Sequence, residues 1–223
     1  VALDQGQWKP NSPARAKQLE FALTSIDSRL AASYLSKRLA KESIPADGTG
    51  PWIELIAQTG GKTELTKLFT QVVQKDFEGS VMVRAINALA TAQRVRKQKP
   101  AGDLNQIRAL LELKDPAVKM AAIRLVGVWQ MKACISLLAD VATEEAEASI
   151  QIAAMQSLQE IGQPSVSALA RLVRSKNTGV RRQAVICLAA LNPQAAAKPF
   201  YQSLTEIQNL SLIHISEPTR QFR

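Results

Sequence analysis

Few side chains in this sequence are suited to bond-making chemistry. Its 223 residues contain one His, at position 214, and two Cys, at positions 134 and 187. A lone His and two distant Cys exclude a multi-His zinc centre, a zinc finger and a disulfide scaffold. Cys134 and Cys187 sit among apolar neighbours and read as small buried hydrophobes, with a disulfide or a reactive thiol as the alternative reading. They leave the redox compartment open. Gly60-Gly61-Lys62-Thr63 ends like a phosphate-binding loop, but that motif needs a glycine where Ile56 stands. A helical pattern, not a strand, also leads into it, so a helix–helix turn is expected. Glu144, Glu145 and Glu147 suggest acid–base or metal chemistry. Their expected place is a helix N-terminus, where carboxylates oppose the positive end of the macrodipole. No catalytic residue, metal ligand or cofactor site is expected in this chain.

The basic residues carry more functional weight. There are 28 Lys and Arg against 19 Asp and Glu, a formal net charge of +9. Arg94, Arg96, Lys97 and Lys99 form one cluster, and Arg171, Arg174, Lys176, Arg181 and Arg182 form another. Cations near helix C-termini are locally favourable. The same clusters on an open face would attract acidic protein surfaces or phosphates. Base-stacking aromatics do not interleave with them, and Trp8, Trp52 and Trp129 are too scattered for a stacking platform. The clusters read first as solvated surface; as binding residues they are candidate contacts for an acidic protein partner, with nucleic acid as the further alternative.

The elements that position these residues are helices. Hydrophobic residues make up 46% of the chain and aromatics 4%, and 33 residues are alanine, a composition that favours helix and a globular core. Four stretches repeat one pattern of small and apolar positions. They are Val81/Ala85/Leu89/Ala92, Val118/Ala122/Val126/Trp129, Ile150/Ala154/Leu158/Ile161 and Val180/Ala184/Leu188/Leu191. Steps of four, four and three hold a stripe on one helix face, and the central alanine admits a close neighbour. The copies are offset by 37, 32 and 30 residues, room for two short helices and their turns. Helix pairs are expected at 80–93 with 104–113, 116–129 with 131–142, 146–161 with 164–174, and 178–191 with 194–207. Less regular pairs are expected at 13–24 with 28–42 and 51–58 with 63–75. Prolines 13, 51, 116, 164 and 193 fall at expected helix starts, and Ser80, Asp103 and Asn177 are expected N-caps. A pair of this size cannot bury its stripe alone, so the pairs must stack. The fold expected is all-α: a right-handed α-solenoid of about six antiparallel helix pairs.

Asp115-Pro116-Ala117-Val118-Lys119-x-x-Ala122 and Asn177-Thr178-Gly179-Val180-Arg181-x-x-Ala184 resemble the D-x-x-V-R-x-x-A start of HEAT-repeat helices. Residues 80–209 carry that pattern regularly and 1–79 loosely, so 1–209 reads as one HEAT-like domain. The resemblance implies a non-catalytic binding or scaffold module contacting another protein or flanking domains of its own parent chain. A narrower likeness runs through Gly50-Pro51-Trp52-Ile53-Glu54-Leu55-Ile56, Thr63-Glu64-Leu65-Thr66-Lys67-Leu68-Phe69 and Lys99-Pro100-Ala101-Gly102-Asp103-Leu104. These segments resemble the helical-repeat part of planctomycete-type membrane-bound dehydrogenases with a c-type haem domain. In that family a propeller precedes the repeats and a C-x-x-C-H haem motif follows them. This chain has neither, so the resemblance implies a spacer with no redox residue of its own, exported or in the cell envelope.

Both ends depart from the pattern. The abrupt start at Val1 leaves room for a longer parent, and no apolar run is long enough to span a bilayer. Leu210-Ser211-Leu212-Ile213-His214-Ile215-Ser216-Glu217-Pro218-Thr219-Arg220 resembles the in-frame translation of a transposase-type sequencing-library adapter. Residues 210–223 are therefore expected to be a non-native tail. Without them the chain has no His and a net charge of +8.

Overall fold

A computed structural model describes residues 28–202. The expectations for a helix at 13–24, for residues 203–207 and for the tail at 210–223 lie outside the described residues. The fold is all-α, with helix pairs stacked as in an α-solenoid, and no strand occurs among the described residues. The chain divides into two compact units, residues 1–129 and 130–223.

The described part of the first unit holds six helices: α1 (Ser28–Lys41), α2 (Trp52–Thr59), α3 (Lys62–Gln74), α4 (Gly79–Arg96), α5 (Arg108–Leu111) and α6 (Pro116–Val128). Helices α2, α4 and α6 pack side by side in succession, and α3 and α5 lean against α4 and α6 respectively. In the second unit are α7 (Ile135–Glu144), α8 (Ala148–Ile161), α9 (Val166–Leu172) and α10 (Thr178–Leu191), followed by a helical stretch at 193–202. There α8 packs against both α7 and α10, and α9 against α7 and α10.

The alanine stripe explains this stacking. Ala85, Ala122, Ala154 and Ala184 are all 0% exposed. In the first unit Ala85 and Ala122 belong to the packed pair α4 and α6, and in the second Ala154 and Ala184 to α8 and α10. Every other stripe residue is buried except Leu191, which is half-buried at the end of α10. Burying one such Leu or Val contributes about 1.5–3 kcal/mol. These helices gain it by covering one another, since none has a private core.

The motif that opens the regular repeats is legible atom by atom. Asp115 accepts from Ala117 N at 2.9 Å and Val118 N at 3.2 Å, and Asn177 accepts from Gly179 N and Val180 N at 2.9 and 3.2 Å. Both satisfy donors that a helix start leaves orphaned. The residue after the buried Val or Ile ties down the preceding turn. Gln151 Nε2 donates to Glu145 O at 2.7 Å, and Arg181 Nη1 to Ser175 O at 2.9 Å, six residues back in each case.

Three local expectations are corrected. Ser80 is not an N-cap: Glu78 holds that position, two residues earlier, and the chain enters α4 at Gly79 with φ 44°. The second helices of the regular pairs open with 3-10 turns at Leu104–Ile107, Lys132–Cys134 and Gln163–Ser165, leaving α5 as a single turn. Glu144 ends α7 and Glu145 is its C-cap, so only Glu147 stands at the start of α8. Helix α7 runs two residues beyond its expected end and takes Glu144 with it. Asp103 caps as expected, accepting from Asn105 N at 2.9 Å.

Candidate partner-binding surface

The two basic clusters, alike in sequence, are built differently. In the first unit the chain turns out of α4 at Lys97, left-handed at φ 56°, and this places Arg96 across the end of α2. Its Nε donates to Ala57 O at 3.0 Å, Nη1 to Gly60 O at 2.7 Å and Nη2 to Ile56 O at 3.0 Å. Those carbonyls lie in the last turn and C-cap of α2, at the negative end of the macrodipole, and Ile56 O also accepts from Gly60 N at 3.0 Å. Burial lowers the Arg96 pKa from its ordinary value. Lys99 Nζ donates to Trp129 O, the C-cap of α6, at 2.7 Å, and burial lowers its pKa too. Lys97 Nζ reaches Arg94 O at 3.1 Å, and Arg94 is itself engaged. This cluster is largely a set of helix caps.

A related cap went unread in the sequence. Lys67 Nζ donates to Glu42 O at 2.7 Å and to Leu39 O, closing the end of α1. Its partners lie 25 and 28 residues away, a pairing that no local motif announces.

In the second unit, neutral amides perform this task. Gln130 Nε2 donates to Glu160 O at 3.3 Å and Gln163 Nε2 to Leu191 O at 3.1 Å, at the ends of α8 and α10. The cations there are left outward. Arg171, Arg174, Lys176 and Arg182 are exposed, and their side chains make no hydrogen bond or ion pair with the described residues. They gather at the turn from α9 to α10, with Arg171 in the last turn of α9 and Arg182 near the start of α10. Arg181 is the exception, drawn back to the Ser175 carbonyl.

A further signal was available in the sequence and was not read. Residues 133–160 contain five carboxylates and no Lys or Arg, whereas 161–202 contain six cations and no carboxylate. The switch falls at the end of α8, between the two helices of one pair. Around the cationic turn no carboxylate is near in sequence to neutralise it.

The other candidates are structural. Gly60-Gly61-Lys62-Thr63 is the α2–α3 turn, where Gly61 N donates to Glu64 Oε2 at 2.8 Å and Ser36 Oγ donates to Glu64 Oε1 at 2.5 Å. A carboxylate thus occupies the helix start that a phosphate would need. A groove of about 790 Å³ runs along α3 beside residues 43–46. Two of its central polar groups are engaged internally: Gln71 donates to Ile44 O and accepts from Ile44 N at 3.0 and 3.1 Å, and Thr66 Oγ1 accepts from Ala101 N at 2.8 Å. Both cysteines are buried and neither forms a disulfide among the described residues, and burial raises the Cys187 pKa, a hydrogen bond from Gln183 acting the other way. Among the described residues no group of His, Cys, Asp and Glu is placed to hold a metal ion. No helix among them is long and apolar enough to cross a membrane.

Residues 135–209 match the family of HEAT repeats, whose members commonly mediate protein–protein interaction and are generally non-catalytic. No curated protein matches the chain.

Proposed function

We propose that this chain is a non-catalytic HEAT-repeat binding module that holds an acidic protein surface through the cationic turn of its second unit. One observation carries the reading: within the segment similar to HEAT repeats, Arg171, Arg174, Lys176 and Arg182 are exposed and unpaired. Attraction to them depends on their summed field more than on any single contact. The first cluster contributes less, since Arg96 and Lys99 already cap helices. The same absence of carboxylates from 161–202 favours nucleic acid as the second reading.

The two are separated by binding poly-glutamate and duplex DNA to the full chain and to a variant with Arg171, Arg174, Lys176 and Arg182 changed to Glu. The expected result is poly-glutamate binding that the variant loses by at least about tenfold, since reversing several charges leaves like charges opposed. Tight duplex binding with a steep loss between about 50 and 200 mM salt would overturn the protein reading in favour of nucleic acid.

A finer role rests on the segments at 50–56, 63–69 and 99–104, which support a spacer between catalytic domains of a membrane-associated dehydrogenase. Its test is the gene on either side: a propeller upstream and a C-x-x-C-H motif downstream are expected. Unrelated domains on both sides would sink it.

A further inference from the structure

The cationic turn has a counterpart of opposite charge one repeat earlier. Gln151 and Arg181 make the same contact six residues back, which sets Glu144 against Arg174 and Ala146 against Lys176 in repeat register. Because α7 packs on α9 and α8 on α10, the α7–α8 and α9–α10 turns lie side by side on one edge of the second unit. Packed helices stand about 8–10 Å apart, so the two turns form neighbouring stripes, one acidic and one basic. Glu144 and Glu147 are exposed on the first, Arg174 and Lys176 on the second.

Local helix energetics account for only part of this arrangement. Glu147 at the start of α8 and Arg174 just past the end of α9 suit the macrodipole, but Glu144, the last residue of α7, stands where it disfavours a carboxylate. An edge carrying one acidic and one basic stripe is complementary to itself after a twofold rotation. In a closed dimer each patch meets its partner's opposite, and every contact is made twice. A uniformly acidic protein would match only the basic stripe.

We propose that the acidic surface recognised by the cationic turn is the α7–α8 turn of a second copy of this chain, docked antiparallel along this edge. This inference rests on the binding-module reading above and names its partner. The association is electrostatic and screened by salt, since the charges are exposed and the Debye length is about 10 Å at 0.1 M.

The test uses the full chain in sedimentation velocity at low and high salt. Two variants accompany it, Glu144→Lys/Glu147→Lys and Arg174→Glu/Lys176→Glu, and circular dichroism melting checks that both fold. Wild type is expected to self-associate at low salt, and each variant alone to weaken this by at least about tenfold. Mixing the variants pairs an all-positive edge with an all-negative one, so a heterodimer within about threefold of wild-type affinity is expected. A wild type that stays monomeric to about 200 μM at low salt would overturn the proposal, that range corresponding to an affinity of about 5 kcal/mol. Self-association indifferent to either charge reversal, or mixed variants that ignore each other, would also overturn it. A monomeric chain that still binds poly-glutamate through the same cations overturns self-pairing alone, whereas loss of that binding as well overturns the acidic-partner reading.

Discussion

The first unit sets three of its cations on the ends of its own helices, and the second unit closes two helix ends with glutamine. Arg96 and Lys99 close α2 and α6, and Lys67 closes α1. Gln130 and Gln163 close α8 and α10, and Arg171, Arg174, Lys176 and Arg182 remain outside. Equal charge density in sequence therefore has two meanings. A cation whose donors are taken by helix carbonyls contributes to stability; one left in water contributes to the field a partner meets.

The largest test of that difference is Arg96→Met against Arg174→Met. Removing Arg96 strips three carbonyls of a charged donor and is expected to destabilise by about 2–3 kcal/mol, against less than about 0.5 for the exposed Arg174. Urea unfolding at constant slope measures both, and equal costs would erase the distinction. A smaller contrast separates the two kinds of cap. Lys99→Met is expected to cost about 1–2 kcal/mol and Gln163→Met about 0.5–1, since charge-assisted bonds are roughly twice as strong as neutral ones. Thermal melts of the two variants read this directly.

The smallest effect is in pH. Burial disfavours the Lys99 ammonium, so the folded chain releases that proton below the ordinary lysine value of 10.5. Below the lowered pKa both states are protonated and the desolvation penalty is in force. Between that pKa and 10.5 the unfolded state binds more protons, so the contribution of Lys99 to stability rises with pH. Wild-type stability should gain on Lys99→Met as pH climbs through that window. A flat difference would mean the ammonium is solvated like those of the second unit.

Much of the architecture was legible because its signals are local. The stripe through Ala85, Ala122, Ala154 and Ala184 needs only helical periodicity to be seen, and Asp103 and Asn177 act on donors two or three residues away. Helix ends were harder. Gly79 moved one start, and the run of α7 to Glu144 put a carboxylate at the end of a helix where the start of the next was expected. The fate of the cations was not legible at all, since Arg96 finds its carbonyls 36 to 40 residues away and Lys99 finds its own at a distance of 30. Such pairs exist only once repeats have stacked. The charge switch near residue 160 was in plain view, but it acquires meaning only when the register brings the acidic and basic turns side by side.

The placement of tryptophan gives the two units different optical signatures. Trp52 lies buried beneath the guanidinium of Arg38, 4.2 Å from the ring centroid. Trp129 meets Phe69 edge-on at 5.4 Å, its indole nitrogen buried without a hydrogen-bond partner. Residues 130–223 contain no tryptophan. Red-shift of the Trp52 and Trp129 emission thus reports the opening of the first unit, while far-ultraviolet ellipticity reports the helices of both. Recording the two signals on one sample resolves which unit lets go first, with no label attached.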